Sequence, residues 1–337
     1  MSGLFCGEFR NPGERREKPV HPLFSMIVSA SRRTDIPAFY SDWLLNRLQA
    51  GYALTRNPFN PLQVSKVLLE PGKVDCLVFW TKNPAPLLAR LDEIDRLGHS
   101  YYFHYTLTGC DRTLEERLAD LDVRIAAFRR LSERIGPERV LWRFDPIVLT
   151  RALDTDHYLR AFAQLAQQLH GFTRQCTISF LSMYAKCKRN LAGIALLPLE
   201  DSEKIQFIGS LAAIADRVGI ELRACCDPLL TEQCGIAAAR CIDGRLAADI
   251  LGQPVRIKKD GGQRPGCGCA VSVDIGAYNT CPHGCRYCYA NVNPLTAARN
   301  HASHDPQSPL LTGVLNGRET ITERRTVSAR APRGELF

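Results

Sequence analysis

The sequence predicts an α/β protein built on parallel strands, and two patterns in its 337 residues carry that prediction. Runs rich in Val, Ile, Phe, Tyr and Trp recur at 27–31, 75–80, 101–108, 140–148, 176–181, 220–225 and 271–275, as strands require. Helix-period apolar runs lie between most of them. Alternation repeated this often means right-handed crossovers, hence a βα barrel or an open sheet. In both architectures ligands collect at the C-terminal ends of the strands.

The first strand is followed by a short helix over 41–50, closed by Gly51. A β-hairpin excursion is expected over 52–70, around Asn57-Pro58 and Asn60-Pro61. Leu87, Leu88, Leu91, Ile94 and Leu97 repeat at helical spacing and stop at Gly98. Leu114, Leu118, Leu121, Ile125, Phe128, Leu131 and Ile135 do the same and stop at Gly136. Tyr158, Phe162, Leu165 and Leu169 end at Gly171. Ile205, Ile208, Leu211, Ala215 and Val218 end at Gly219, with Asp201 or Ser202 as the expected cap. Residues 1–25 and 300–337 carry no period and are expected to be loose tails, with Arg15-Arg16 and Arg324-Arg325 as solvated charge.

Hydrophobic residues at 45% and charged residues at 23% fit a globular chain and exclude bulk disorder. No apolar run approaches the roughly 18–20 residues that span a bilayer, so no membrane partner is expected. Pro12, Pro19 and Pro22 interrupt the N-terminal stretch, which lacks a secretory core, so export is not expected. A net charge of +8 permits an anionic substrate or nucleic acid without arguing for either. Of 14 cysteines, nine lie between residues 225 and 288. Without an export signal, that clustering points to metal ligation rather than disulfides, hence a cytoplasmic metalloprotein.

The sharpest signal is Cys281-Pro-His-Gly-Cys285-Arg-Tyr-Cys288, three thiolates on one tight loop directly after the strand at 271–275. Three thiolates cannot complete a structural zinc site, and they leave one iron of a 4Fe–4S cube without a protein ligand. This CxxxCxxC spacing, with Tyr287 just before the last cysteine, resembles the signature of the radical S-adenosylmethionine (SAM) superfamily. The resemblance implies that Cys281, Cys285 and Cys288 ligate a 4Fe–4S cluster, beside Tyr287, and that SAM chelates its fourth iron. It further implies reductive cleavage of SAM to methionine and a 5′-deoxyadenosyl radical that abstracts hydrogen from a substrate. A low-potential electron donor such as flavodoxin or ferredoxin is implied with it.

In most of that superfamily the loop follows the first barrel strand, whereas here it lies near residue 285. A circularly permuted βα barrel, partial or complete, accounts for this, with 271–275 as the family's first strand and 27–31 as its second. The core over 26–295 also resembles an uncharacterised bacterial family. The matching stretches are Ser29-Ala-Ser-Arg-Arg-Thr-Asp-Ile-Pro37, Phe79-Trp-Thr-Lys-Asn-Pro84, Trp142-Arg-Phe-Asp-Pro146 and the run from Asp274 to Cys285. A more distant likeness is to spore photoproduct lyase.

Cys267-Gly-Cys269 cannot serve the first cluster once SAM occupies its open iron. With Cys225 and Cys241 it offers four thiolates, enough for a second 4Fe–4S cluster or a structural zinc. Cys226 and Cys234 are competing candidates, and buried structural cysteine is expected at Cys6, Cys76, Cys110, Cys176 and Cys187. The expected organisation is a barrel body over 26–230, a cysteine-rich auxiliary metal region over 231–269, and the permuted first strand with its cluster loop over 270–299, between the two tails.

Polar residues at strand ends complete the candidates. Arg143 and Asp145 alternate in an apolar strand, so they share a face that would be a barrel interior. Arg143 would meet the SAM carboxylate and Asp145 a ribose or substrate, or the two form an internal salt bridge. His104 and Thr106 alternate likewise, with Thr106 as a ribose contact or an interior polar residue. Ser29 and Ser31 end the strand that binds the SAM amino group in the superfamily, although its usual Gly-Gly-Glu is absent. Arg32 and Arg33 would engage an anionic substrate, and Trp80 and Lys82 line the pocket mouth.

The expected function is a radical SAM enzyme acting on an unidentified substrate. A nucleic-acid lesion is one substrate reading, against which the sequence shows no dense basic and aromatic stripe. A small metabolite or peptide is the other. The rival of a different class is a non-catalytic iron–sulfur or zinc module, a redox sensor or scaffold, which binds metal and leaves SAM intact.

Overall fold

The computed structural model describes residues 26–324 apart from 254, 256, 257 and 265. The first expected tail with Cys6 and Arg15-Arg16, and the end of the second from Arg325, lie outside the described residues. The strands are β1 (Ile27–Ala30), β2 (Tyr52–Arg56), β3 (Gln63–Leu68), β4 (Cys76–Thr81), β5 (Tyr101–Thr106), β6 (Val140–Ile147), β7 (Gln175–Phe180), β8 (Glu221–Ala224), β9 (Ala237–Ala238), β10 (Ser272–Asp274) and β11 (Thr320–Glu323). Eight of them form one sheet in the order β10-β1-β4-β5-β6-β7-β8-β9. Every neighbour pair in it is parallel.

β10, late in the chain, lies beside β1, with Ile27 opposite Ser272 and Ser29 opposite Asp274. Among the described residues no ladder joins β10 to β9, so the sheet is open by its hydrogen bonds and no closed barrel is seen. No helix of the described residues is long and apolar enough to cross a membrane.

Strand side chains alternate between the two faces of the sheet. Val28, Leu77, Phe79, Phe103, Tyr105, Trp142 and Phe144 enter the main core with helices Ser41–Ala50, Leu121–Ile135, Thr155–Leu169 and Asp201–Arg217. Ring stacking of Trp142 on Phe162, with centroids 4.9 Å apart, joins sheet to helix there. Ile27, Cys76, Val78, Tyr102 and Leu141 point the other way. On that side they are covered by Ile242, Ala247 of helix Gly244–Leu251, Cys267 and Cys269. The cysteine-rich stretch thus packs on the second face of the sheet, and its thiols come close to the strand ends. Cys76, Cys176 and Cys187 are buried as expected, whereas Cys110 is half-buried, with its sulfur 3.5 Å from the Tyr158 hydroxyl.

Four expectations about the elements are corrected. The run 87–97 is two helices, Ala85–Leu88 and Leu91–Arg96, because Arg90 leaves helical geometry and its guanidinium bonds the Glu93 carboxylate at 2.7 Å. Residues 114–120 are not helical, although Leu114 and Leu118 are buried. There Asp111 accepts from the Thr113 amide, and Arg112 donates to the Leu118 carbonyl and the Asp120 carboxylate, competing with helical hydrogen bonds. The helix Asp201–Arg217 is capped by Glu200, reciprocally with Glu203, rather than by Asp201 or Ser202.

Residues 300–324, expected as tail, carry the end of helix Pro294–Ala302 and strand β11, which pairs in parallel with β3. Their carbonyls at Ser308, Pro306 and Gln307 accept from Trp43, Asn46 and Arg47. Such backbone contacts leave no apolar period to read.

Candidate functional site

At the C-terminal ends of the strands lies a cavity of about 530 Å³. Cys281, Cys285 and Cys288 of the loop border it on one side. Cys225, Cys226, Cys241, Cys267 and Cys269 border it on another. Ser31, Arg32, Arg33, Trp80, Lys82, Thr106, Arg143, Asp145 and Tyr287 line it as well. Ser29 and His104 are buried behind the wall, and Cys234 packs at the edge of the core instead.

The first wall is organised by Asp274, the last residue of β10. Its carboxylate accepts from Ser29 Oγ at 2.5 Å, Ser31 Oγ at 2.8 Å, the Arg32 amide at 2.8 Å and the Gly276 amide at 3.0 Å. Both serine hydroxyls are therefore engaged in joining β1 to β10. Gly276 makes this approach sterically allowed, since a Cβ there would lie 2.1 Å from Ser31 Oγ and 2.5 Å from Ser31 Cβ. Gly276→Ala is expected to destabilise the fold by about 1–3 kcal/mol, an overpacking cost. A thermal unfolding midpoint equal to that of the unchanged chain would contradict it.

The cysteine loop is held from several directions. Tyr40 donates to the Thr280 carbonyl at 2.5 Å, Asn291 to the Cys281 carbonyl at 2.7 Å and Cys187 to the Tyr287 carbonyl at 3.1 Å. Asp35 caps the helix Ile36–Phe39 through the Ala38 amide and also accepts from His283 Nε2 at 2.7 Å and the Lys82 amide at 2.7 Å. The segment 109–120 clasps the loop from outside. Glu115 and Cys285 form an antiparallel bridge, and the Arg286 amide donates to the Leu114 carbonyl at 2.9 Å.

Beneath the loop lies a buried charged network. Glu115, 3% exposed, accepts from Lys82 Nζ at 2.7 Å, Thr108 Oγ1 at 3.1 Å and Arg124 Nη1 at 3.3 Å, and also from the Tyr287 hydroxyl. Lys82 also donates to Tyr287 at 2.9 Å. Burial opposes the charge on both Lys82 and Glu115, and their mutual attraction outweighs it, so Lys82 titrates above and Glu115 below its usual range. Burial pushes the Cys285 and Cys288 thiols up and takes Cys281 to about 12, with the Lys82 ammonium opposing the rise at Cys285. Positive charge is what these thiols need to ionise, and a metal centre supplies it.

The second wall is a ring of thiols. Cys225 and Cys241 sulfurs stand 3.8 Å apart, and side-chain contacts run on from Cys241 to Cys269, Cys267, Cys226 and back to Cys225. Arg143 holds Asp145 by two bonds, at 2.9 and 2.5 Å, and donates its remaining Nη1 to Cys241 Sγ at 3.1 Å. Hydrogen bonds from Cys225 and Cys269, with the Arg143 charge behind them, keep Cys241 well below the usual thiol range. His104 is pushed down to about 4 by burial and Arg143, so it is neutral at pH 7, and its Nε2 donates to the Cys241 carbonyl at 2.6 Å.

The donor set fits metal: soft thiols from separate segments meet at one cavity, with cationic side chains against both groups. Among the described residues no three His, Cys, Asp or Glu side chains stand as the ligands of a single ion. A cube of irons takes its thiolates at different corners, so its ligands stand farther apart than those of one ion. Thr34 Oγ1, buried in the cavity wall, has no hydrogen-bond partner among the described residues.

A family model described as a domain of unknown function, DUF1848, matches residues 27–290. The chain belongs to that family. The DUF1848 span runs from β1 past the cysteine loop, so all eight cysteines of the loop and the ring fall inside it, and Glu115 with them. No curated protein matches the DUF1848 chain. Among solved structures, one from work on the pneumococcal virulence factor StrH and N-glycan recognition and hydrolysis aligns at 8% identity with a TM-score of 0.26, covering 72% of this chain and 68% of that one. At that score the likeness carries no argument.

Two carboxylates of this DUF1848 site, Glu115 and Asp274, are not assigned a role by sequence reasoning. Glu115 lies in a run whose period reads as helix, and it gives no signal of its own. Asp274 is visible as a carboxylate closing an apolar strand. Of the two competing thiols, the ring includes Cys226 and leaves out Cys234.

Proposed function

We propose that this chain is a radical SAM enzyme with a second metal centre in the same cavity. The observation that carries the reading is the meeting of three loop thiols and five ring thiols at the C-terminal end of one parallel sheet. When bound, a 4Fe–4S cluster with SAM supplies a 5′-deoxyadenosyl radical on one-electron reduction. Cys281, Cys285 and Cys288 hold that cluster, and Lys82 balances thiolate charge beside Cys285. Thr34 and Thr106 offer hydroxyls to SAM from the cavity wall. Arg143, its donors taken up by Asp145 and Cys241, serves the second centre.

Cys285 also borders a second cavity of about 300 Å³, shared with Arg286 and Asn190. An electron donor such as flavodoxin or ferredoxin can therefore approach the loop without entering the substrate cavity. The second centre is read as iron–sulfur. Zinc is the other reading there: Cys225 and Cys241 have the spacing of about 3.8 Å that tetrahedral thiolates take at a Zn–S distance of about 2.3 Å, and the further ring thiols would have to draw in to complete such a site.

The test is anaerobic reconstitution, then iron and sulfide content, then 5′-deoxyadenosine release from SAM with dithionite. About eight irons per chain with release of 5′-deoxyadenosine is the expected result. A reducible cluster that leaves SAM intact, or zinc without iron, would overturn the enzyme reading in favour of a non-catalytic metal-binding module.

A further inference from the structure

The cavity mouth carries aromatic and cationic side chains besides the thiols. Tyr184 and Tyr289 are each 45% exposed, with ring centroids 5.8 Å apart, and both line the cavity. Tyr278 lines it too, and two cations sit over its ring, Arg33 at 5.0 Å and Lys186 at 4.5 Å. Arg264 reaches in from the cysteine-rich stretch, donating to Ser182 Oγ at 3.1 Å and bonding the Cys226 thiol, with its other donors open to the cavity. These residues come from four separate stretches of chain, so no stripe of them is visible along the sequence.

Carboxylates do not balance the cations at the mouth. Asp274, Asp35 and Asp145, the carboxylates of the cavity, are already occupied by internal donors. Arg33 reaches Asp274 only at 3.9 Å and shares it with Arg32. Among the described residues no carboxylate lies within ion-pair distance of Lys186 or Arg264. Exposed aromatic faces next to cations that no carboxylate pairs suit a ligand that is planar at one end and anionic at the other. A nucleotide has both, a base to stack and a phosphate to pair.

We propose that Tyr184 and Tyr289 stack a base, and Arg33, Lys186 and Arg264 hold its phosphate, so that the mouth binds a nucleotide unit. This rests on the radical SAM reading only in making that nucleotide the substrate; the binding itself needs no metal. The same chemistry is offered by a free mononucleotide and by a single strand.

The experiment is fluorescence anisotropy of a labelled oligothymidylate of about ten nucleotides with the full chain, over a range of salt, and with thymidine monophosphate as competitor. Binding should weaken about tenfold in Tyr184→Ala, the loss of one stacked base, and stay near its original strength in Tyr184→Phe. Lys186→Ala should lower the salt slope by about 0.7, one phosphate contact on a single strand. Competition by the monophosphate at matching affinity identifies a free nucleotide, and much weaker competition identifies a strand; either supports the proposal. No binding of either probe by a chain with unchanged circular dichroism would overturn it, as would equal binding by Tyr184→Ala. Release of 5′-deoxyadenosine without nucleotide binding sinks this proposal alone, and nucleotide binding without such release sinks the enzyme reading alone.

Discussion

With Cys281, Cys285 and Cys288 all replaced by Ala, about four irons per chain are expected to disappear and all 5′-deoxyadenosine release with them, while the irons of the second centre remain. The two groups lie on different elements. The loop follows β10 and is pinned by Tyr40, Asn291 and Cys187, whereas the ring rests on the end of β8 and on the stretch packed against Tyr102 and Leu141. Iron and sulfide assays beside the reduced electron paramagnetic resonance spectrum check this. Loss of every iron would mean that one centre draws on both groups, and full retention would place no cluster on the loop.

Glu115→Ala is expected to lower stability by about 3–5 kcal/mol, the effect of breaking a buried ion pair and leaving its partners behind. Lys82 and Arg124 have side chains only 13% and 7% exposed, and without Glu115 they become two like charges in a poorly hydrated space. The loop should loosen as well, because the Tyr287 hydroxyl loses its acceptor. Glu115→Gln keeps the shape without the charge and should fall between Glu115→Ala and the unchanged chain. Urea unfolding midpoints measure both variants, and a shift equivalent to less than about 1 kcal/mol would show that the lysine and arginine find other counter-charges.

The sheet was legible because its signals are local. Each strand on it that was expected from sequence lies within two residues of its observed bounds, and the alternation that put Arg143 and Asp145 on one face recurs as their ion pair. The adjacency of β10 and β1 was legible only through the position of the cysteine loop. What escaped is what depends on distant pairing. Glu115 meets Tyr287 across 172 residues, and nothing near it in the chain marks it as buried. The two-residue strand Ala237–Ala238 is too short for any periodicity to register. The tyrosines at the mouth could not be summed into a patch before the fold placed them together.

The seam between β1 and β10 has a consequence in time. Ser29 and its partner Asp274 are separated by 245 residues. A chain made from its N-terminal end at about 5–20 residues per second therefore holds β1 without this neighbour for roughly 10–50 s. During that interval β1 has an open edge, and its hydroxyls lack the carboxylate that later engages them. All eight thiols of the loop and the ring also come after residue 224, so most of the sheet precedes the thiols that border its cavity. The main strands are thus laid down before any of these thiols exists, and the seam with β10 closes only near the end of the chain's synthesis.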